Sequence, residues 1–313
     1  MATIVGVHGI ANTFVGSTQL SDAWAAALQS GLDEAGGPTL RPRDLTVIAY
    51  GALFRPAGDG KQRTPTRAAR QGRRPFEPSD DWERELVKQW WRAAAALSTE
   101  SRTSEVADER AEDPGIQPPD FEGRARMPQL IQRGLLQLAK SRFFRPFGPK
   151  VLISELRQVR LFLHDADFKR VILARLAAKI APDTRIIVGH SLGSVVAYEA
   201  LCAHPEWRID TLVTLGSPLG IPNVVFEALS PKPRQRMGTW PNVARWVNIA
   251  DKGDLVALVK TLAPLFGPVQ DVLVYNGWQS HDVTRYLSAV ETGRPIAEAL
   301  NQGDQRERAN TGV

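Results

Sequence analysis

Residues 189–193 read Gly-His-Ser-Leu-Gly, a serine held between two glycines in Gly-x-Ser-x-Gly spacing. The motif follows the apolar run "RIIVGHS" and opens the small-residue stretch "LGSVVAYEALCAH". The spacing alone recurs in unrelated turns, but a buried strand before it and a helix after it form the context that a nucleophilic serine requires. In so tight a turn, side chains at Gly189 and Gly193 would collide with neighbouring backbone, and the Ser191 hydroxyl is lifted above the sheet edge. The following helix aims its free N–H groups and positive dipole end at the reacting atoms. The plainer role for Ser191 is a helix N-cap.

A serine hydroxyl is a poor nucleophile at neutral pH unless a base takes its proton. The chain has five histidines. His190 neighbours the serine and is expected to point elsewhere; His8 ends the first strand, and His164 and His204 fall at a helix end and in a loop. Only His281, in "YNGWQSHDVTRYL", follows the last strand signal, on a loop able to descend onto the sheet's C-terminal edge. It is assigned as general base. An acid to hold the imidazole should come from the end of "RWVNIA", where "DKGDLVA" offers Asp254 and, as the alternative, Asp251. Asp254 is preferred, because Asp251 falls in the first turn after the strand, where turn residues and caps sit. Asp282 is too close in sequence to His281 to serve. The oxyanion of a tetrahedral intermediate needs N–H donors: Leu192 is one candidate and Ile10 the second, with His8 and Gly9 supporting the bend of the backbone under the site.

These residues need a scaffold that brings strand ends together. Six segments, "TIVGVHG", "LTVIAYG", "RIIVGHS", "TLVTLGS", "RWVNIAD" and "DVLVYNG", are short and β-branched-rich, and the first five are apolar at nearly every position. Strands apolar on both faces are buried on both faces, the habit of a parallel sheet covered by helices. Helical stretches between them include "STQLSDAWAAALQSGLDEAG", capped by Ser17 or Ser21 and stopped by Gly36-Gly37-Pro38, and "VILARLAAKIAP". The expected fold is α/β, a doubly wound, mostly parallel sheet of about six strands. Its core spans 1–50 and 151–292, with a helical or irregular cap insertion over 51–150 and a polar C-terminal tail over 293–313. The insertion carries a basic run, "KQRTPTRAARQGRR", an acidic part from Thr99 to Gly123, and helical spacing in "DDWERELVKQWWRAAAALS". Trp90 and Trp91 there, with Trp240, are candidates to line a substrate pocket. The stretch Leu255–Phe266 reads either as a packed helix or as part of an acyl-binding wall.

Composition removes other classes. The chain has 313 residues, a formal net charge of +5 and one cysteine, Cys202, so no intramolecular disulfide framework exists. No run approaches the roughly 20 apolar residues of a membrane span. The start "MATIVGVHGI" lacks a basic segment and a small-residue cleavage site, so a cytoplasmic location is expected. No metal-ligand spacing or phosphate loop is present, so neither a metal nor an organic cofactor is expected. The basic run lacks the aromatic interleaving of a nucleic-acid binder; a peripheral membrane or protein contact is the partner it would suit.

Taken together, the strand ending in "HG", the "GHSLG" turn, "TLGSPLG" after the next strand, the acid loop "DKGDLV" and the late histidine resemble the α/β-hydrolase fold family. The chain is most similar to its lipase and esterase branches, related to the PGAP-type and triacylglycerol lipases. That resemblance covers about 1–50 and 151–292 and implies Ser191 as nucleophile, Asp254 as acid, His281 as base, and Ile10 and Leu192 as oxyanion donors. The proline that often follows the acid loop there is lacking, which keeps Asp251 in play. The implied activity is hydrolysis of a small-molecule or lipid ester. An acyltransferase, thioesterase or amidase using the same triad, and a non-catalytic regulatory protein on this scaffold, are the alternatives.

Overall fold

The computed structural model of the chain describes residues 3–9, 15–54, 82, 85, 89, 92 and 158–311. Six strands, β1 (Ile4–Val7), β2 (Leu45–Ile48), β3 (Ile186–His190), β4 (Thr211–Leu215), β5 (Arg245–Asp251) and β6 (Gln270–Val274), form one sheet in the order β2-β1-β3-β4-β5-β6. Every pairing is parallel. Among the described residues the helices include α1 (Ser17–Glu34), α2 (Ala166–Ala177), α3 (Leu192–Ala203), α4 (Ala263–Phe266), α5 (Val283–Ser288) and α6 (Val290–Thr311), and residues 158–164 are helical as well. The architecture is the α/β sheet that the apolar strands predict.

Alternation along the strands builds two cores. Val5, Ile187, Leu212 and Trp246 face α2 and α3. Ile4, Ile186, Val188, Val213 and Val247 face the opposite way, against Trp24 and Leu28 of α1 and Leu287 and Ile296 of the last two helices. The chain moves from β1 outward to β2 and then returns to β3 on the other side of β1. Such a reversal opens a crevice at the carboxyl ends of the strands, where ligands of doubly wound sheets bind. His8, Ser191, Gly216 and Asp251 all lie at those ends.

Three local expectations change. Neither Ser17 nor Ser21 caps α1: the N-cap is Gly16. Ser17 Oγ instead donates to the Val47 carbonyl at 2.5 Å, and Ser21 Oγ accepts the Val47 N–H at 2.9 Å. The two serines pin the helix to β2 by meeting both backbone polar groups of Val47. Second, Leu255–Phe266 is not a helix until Ala263. The Asp254 carboxylate takes the Val256 N–H at 2.9 Å, and the Asp271 carboxylate takes those of Leu262 and Ala263 at 2.8 and 2.9 Å. Side-chain acceptors thus hold the N–H groups that helical carbonyls would otherwise take.

Third, the polar segment after 292 continues as α6, and its Ile296 and Ala297 are buried. A Cβ on Gly293 would lie 1.9 Å from the Gly31 carbonyl oxygen, so α6 and α1 cross with backbones in contact. Gly293→Val is therefore expected to lower stability by about 2 kcal/mol or more, read as a reduced urea midpoint at unchanged slope. The proposed cap falls almost wholly outside the described residues. Of it, Trp82 donates its indole N–H to the Val224 carbonyl at 2.9 Å and Gln89 donates to the Pro222 carbonyl at 2.8 Å, which seats one helical face of the insertion on the segment after β4.

Candidate active site

β3 ends at His190 and α3 begins at Leu192, so Ser191 alone makes the turn, at φ 54° and ψ −128°. A positive φ is strained for any residue with a Cβ. The surroundings hold it: the Ser191 N–H donates to the Leu215 carbonyl at 3.0 Å, and the Ser191 carbonyl accepts from Ser194 Oγ at 2.6 Å. Ser194 Oγ also bonds Ser217 Oγ at 2.7 Å. Close backbone approach explains the glycines. A Cβ at Gly193 would stand 2.0 Å from the Val7 carbonyl oxygen, at Gly189 2.6 Å from Ser194 Cα, and at Gly9 2.7 Å from Ser191 Cβ.

Ser191 occupies the N-cap position, yet its hydroxyl caps no N–H. Its Oγ is buried and makes no hydrogen bond to any described group. Leaving a buried hydroxyl so costs about 1–3 kcal/mol, which a purely structural serine would avoid by turning to an acceptor. Leu192 opens α3, so its N–H has no acceptor within the helix. Ile10 lies outside the described residues.

On the other side of the crevice, His281 Nδ1 donates to Asp254 Oδ2 at 2.7 Å, both groups being buried. The same carboxylate oxygen accepts the Tyr286 hydroxyl at 2.7 Å, while Oδ1 accepts the N–H groups of Val256 and Ala257 at 2.9 and 3.3 Å. Burial on its own would raise the Asp254 carboxyl, but the His281 charge and hydrogen bond, the Lys260 ammonium and the Tyr286 hydroxyl together hold it well below the usual carboxylate range. Lys260 donates to the Asp254 carbonyl and is itself lowered by burial.

Asp251 is used differently. Its Oδ1 accepts the Gly253 N–H at 2.6 Å and its Oδ2 accepts the Asn276 N–H, so its carboxylate ties the loops after β5 and β6. Burial raises this carboxyl, against those two N–H donors. His281 meets Asp254 and not Asp251.

The elbow and the Asp–His pair are neighbours. Gly216, one residue past the carbonyl that holds Ser191, has φ 53°, and a Cβ there would lie 2.7 Å from Asp254 Oδ2 and 3.0 Å from His281 Nδ1. His190, expected to point away, faces the histidine loop: its Nε2 donates to the His281 carbonyl at 3.1 Å, and the two rings are 4.7 Å apart.

Of the other histidines, His8 accepts the Tyr50 N–H on Nε2 at 3.3 Å and stacks on the Tyr50 ring at 4.1 Å, which holds the end of β1 beside β2. His204 pairs with exposed Glu206 far along α3, and His164 packs edge-on to Trp82. Trp240 does not reach the crevice. It bonds the Val243 carbonyl at 2.9 Å and packs on Trp246, at the end of β5 remote from Asp251. Trp90 and Trp91 lie outside the described residues.

Sequence reasoning missed Tyr286, Gly216, Ser194 and Ser217. Gly216 and Ser217 stand inside the noted "TLGSPLG", where a glycine and a serine just after a strand were the available signal.

Burial also sets an acid limit on stability. It lowers His8 to about 4, against a raising hydrogen bond from the Gly9 backbone, and His190 to about 3, helped by the nearby His281 charge. Both are neutral in the fold but titrate near 6.5 when unfolded, so the unfolded chain binds more protons below that pH. Their contribution is complete above pH 6.5 and is lost as pH falls toward 4 and 3. The unfolding free energy is expected to fall from pH 6.5 downward, by up to about 1.4 kcal/mol per pH unit for each histidine, and the urea midpoint with it. A midpoint flat between pH 6.5 and 5 would contradict the buried neutral state of both rings.

Among the described residues, no helix is long and apolar enough to cross a membrane, and no group of three or more His, Cys, Asp or Glu side chains is arranged to hold a metal ion. No curated protein and no solved structure matches the chain. Residues 159–293, which carry the elbow, the Asp254–His281 pair and four of the six strands, match the family model described as the PGAP1-like alpha/beta domain, a family of the α/β-hydrolase superfamily, and the match points to hydrolase-type chemistry.

Proposed function

We propose that the chain is a serine hydrolase that cleaves carboxylic esters through Ser191, His281 and Asp254. The observation that carries this reading is the buried Nδ1–Oδ2 hydrogen bond of 2.7 Å beside a strained serine whose hydroxyl does no structural work. Asp254 fixes the imidazole with its proton on Nδ1, leaving Nε2 as the base. Nε2 takes the Ser191 proton as Oγ attacks the ester carbonyl, and the tetrahedral oxyanion is met by the Leu192 N–H and, as the second donor expected from the sequence, by the Ile10 N–H. Collapse expels the alcohol, protonated by the imidazolium, and leaves an acyl-serine. Water, deprotonated by the same Nε2, adds to the acyl carbon and releases the acid with the proton returned to Ser191.

The substrate class is a small-molecule or lipid ester, with no cofactor required. A fluorophosphonate probe tests the reading on the full chain. Stoichiometric labelling mapped to Ser191, and absent from Ser191→Ala and His281→Ala, is expected. A folded wild-type protein that neither labels nor hydrolyses a panel of esters of graded acyl length would overturn it.

A further inference from the structure

Tyr286 is wholly buried, and its hydroxyl stands between the two aspartates. It accepts the Asp251 N–H at 2.8 Å and donates to Asp254 Oδ2 at 2.7 Å, the oxygen that also receives His281 Nδ1. With the two N–H groups on Oδ1, the Asp254 carboxylate has four donors, close to its full acceptor capacity. Three of those donors fix the carboxylate; the fourth is the histidine. A chain of bonds thus runs from the end of β5 through Tyr286 and Asp254 to His281.

The position of Tyr286 follows from α5. Asp282 caps that helix by accepting the Thr284 N–H at 2.8 Å and the Arg285 N–H at 3.2 Å, which sets the chain direction directly after His281. One turn later the helix returns Tyr286 to the same carboxylate oxygen. The base and its carboxylate's second donor are therefore positioned by one short element.

We propose that Tyr286 is a positioning residue of this site: its hydroxyl fixes the Asp254 oxygen that holds His281 and, by sharing that oxygen's charge, sets how readily His281 takes up a proton. The proposal rests on the reading of Ser191, His281 and Asp254 as the hydrolytic triad for its consequence in catalysis, but its geometry does not. A phenol that donates to a carboxylate draws off part of the negative charge that would otherwise stabilise the imidazolium. Burial raises the Tyr286 phenol well above its ordinary value, so it remains a donor throughout the working range. The other titratable groups around it are Asp251 from β5, Lys260 from the loop after β5, and His190 from the end of β3, whose ring is 6.1 Å away. Asp282, which caps α5, is partly exposed, and Arg285 on it is exposed.

The test reads His281 directly, by NMR titration of the full chain with isotope-labelled histidine. In Tyr286→Phe the His281 titration is expected to move up by about half a unit to one unit, with kcat for an ester lowered about tenfold as the carboxylate loses a support, and KM unchanged. Replacing Tyr286 by 3-fluorotyrosine keeps the ring and the hydroxyl but makes the phenol a stronger donor, so the titration should move the opposite way. That second variant decides the matter if Tyr286→Phe does not fold. An unmoved His281 titration in either folded variant would overturn the proposal. The outcome is separate from that of the hydrolase reading, whose failure would show as a wild-type protein that does not label with fluorophosphonate while its His281 titration still responds to Tyr286.

Discussion

Ser191→Ala is expected to lower kcat for ester hydrolysis by about 10⁴- to 10⁶-fold, the range over which loss of a nucleophile reduces catalysis to what the rest of the site supplies. The same variant should be at least as stable as wild type. The hydroxyl it removes is buried and makes no hydrogen bond among the described groups, so its loss abandons no bond and relieves a desolvation cost. Alanine and serine also carry the same Cβ, so the strain at φ 54° is unchanged. Kinetics and a thermal melt on one preparation check both halves. A large fall in stability would mean that Ser191 is a structural residue of the turn.

Asp254→Asn is expected to cost about 10⁴-fold in kcat, and the arrangement says why. The Val256 and Ala257 N–H groups hold the acceptor side of the group at Oδ1. An asparagine must keep its carbonyl there, which turns its NH₂ toward His281 Nδ1 and the Tyr286 hydroxyl. Donors then face donors, and His281 is driven to the tautomer protonated on Nε2, which cannot accept the serine proton. Asp251→Asn makes the control. Its carboxylate binds the Gly253 and Asn276 N–H groups and not the imidazole, so that variant should lose stability while keeping most of its kcat. If Asp251→Asn were the more damaging to kcat, the roles of the two aspartates would be reversed.

The sheet was legible because its first five strands are short apolar runs, and burial on both faces leaves no room for a polar alternation that would blur them; β6, with Gln270 and Leu273 exposed at the sheet edge, shows only its β-branched residues. Ser191 and its flanking glycines were legible because a tight strand-to-helix turn restricts three adjacent positions at once. Tyr286 was not. Its partners lie 35 and 32 residues earlier, on another strand end, so no local spacing marks it. The partner of His190 was hidden for the same reason: it bonds the His281 carbonyl, 91 residues further along the chain, and not Ser191. The stretch from Leu255 shows the limit of composition, since its apolar residues suit a helix but the carboxylates of Asp254 and Asp271 take the N–H groups a helix would need. The segment after 292 misled in the opposite direction. Its polarity suggests a free tail, yet Gly293 and Ile296 bring one stripe of it onto α1.

That crossing of α1 and α6 has a bearing on how the molecule is made. Ile4 pairs with Leu45 on one side but with Ile186 on the other, and the oxygen of Gly31 lies against a helix that starts at Val290, so the first strand and the first helix find β2 early and their remaining neighbours only late in the chain. Pairings so distant along the chain close large loops before any contact repays them, and such topologies fold slowly. Trp24 packs against β1 and β2 from the start, while the side of α1 that carries Gly31 is covered only once the last two helices exist. Refolding from urea is accordingly expected to be slow for a chain of this size, and a millisecond recovery of native fluorescence would contradict it.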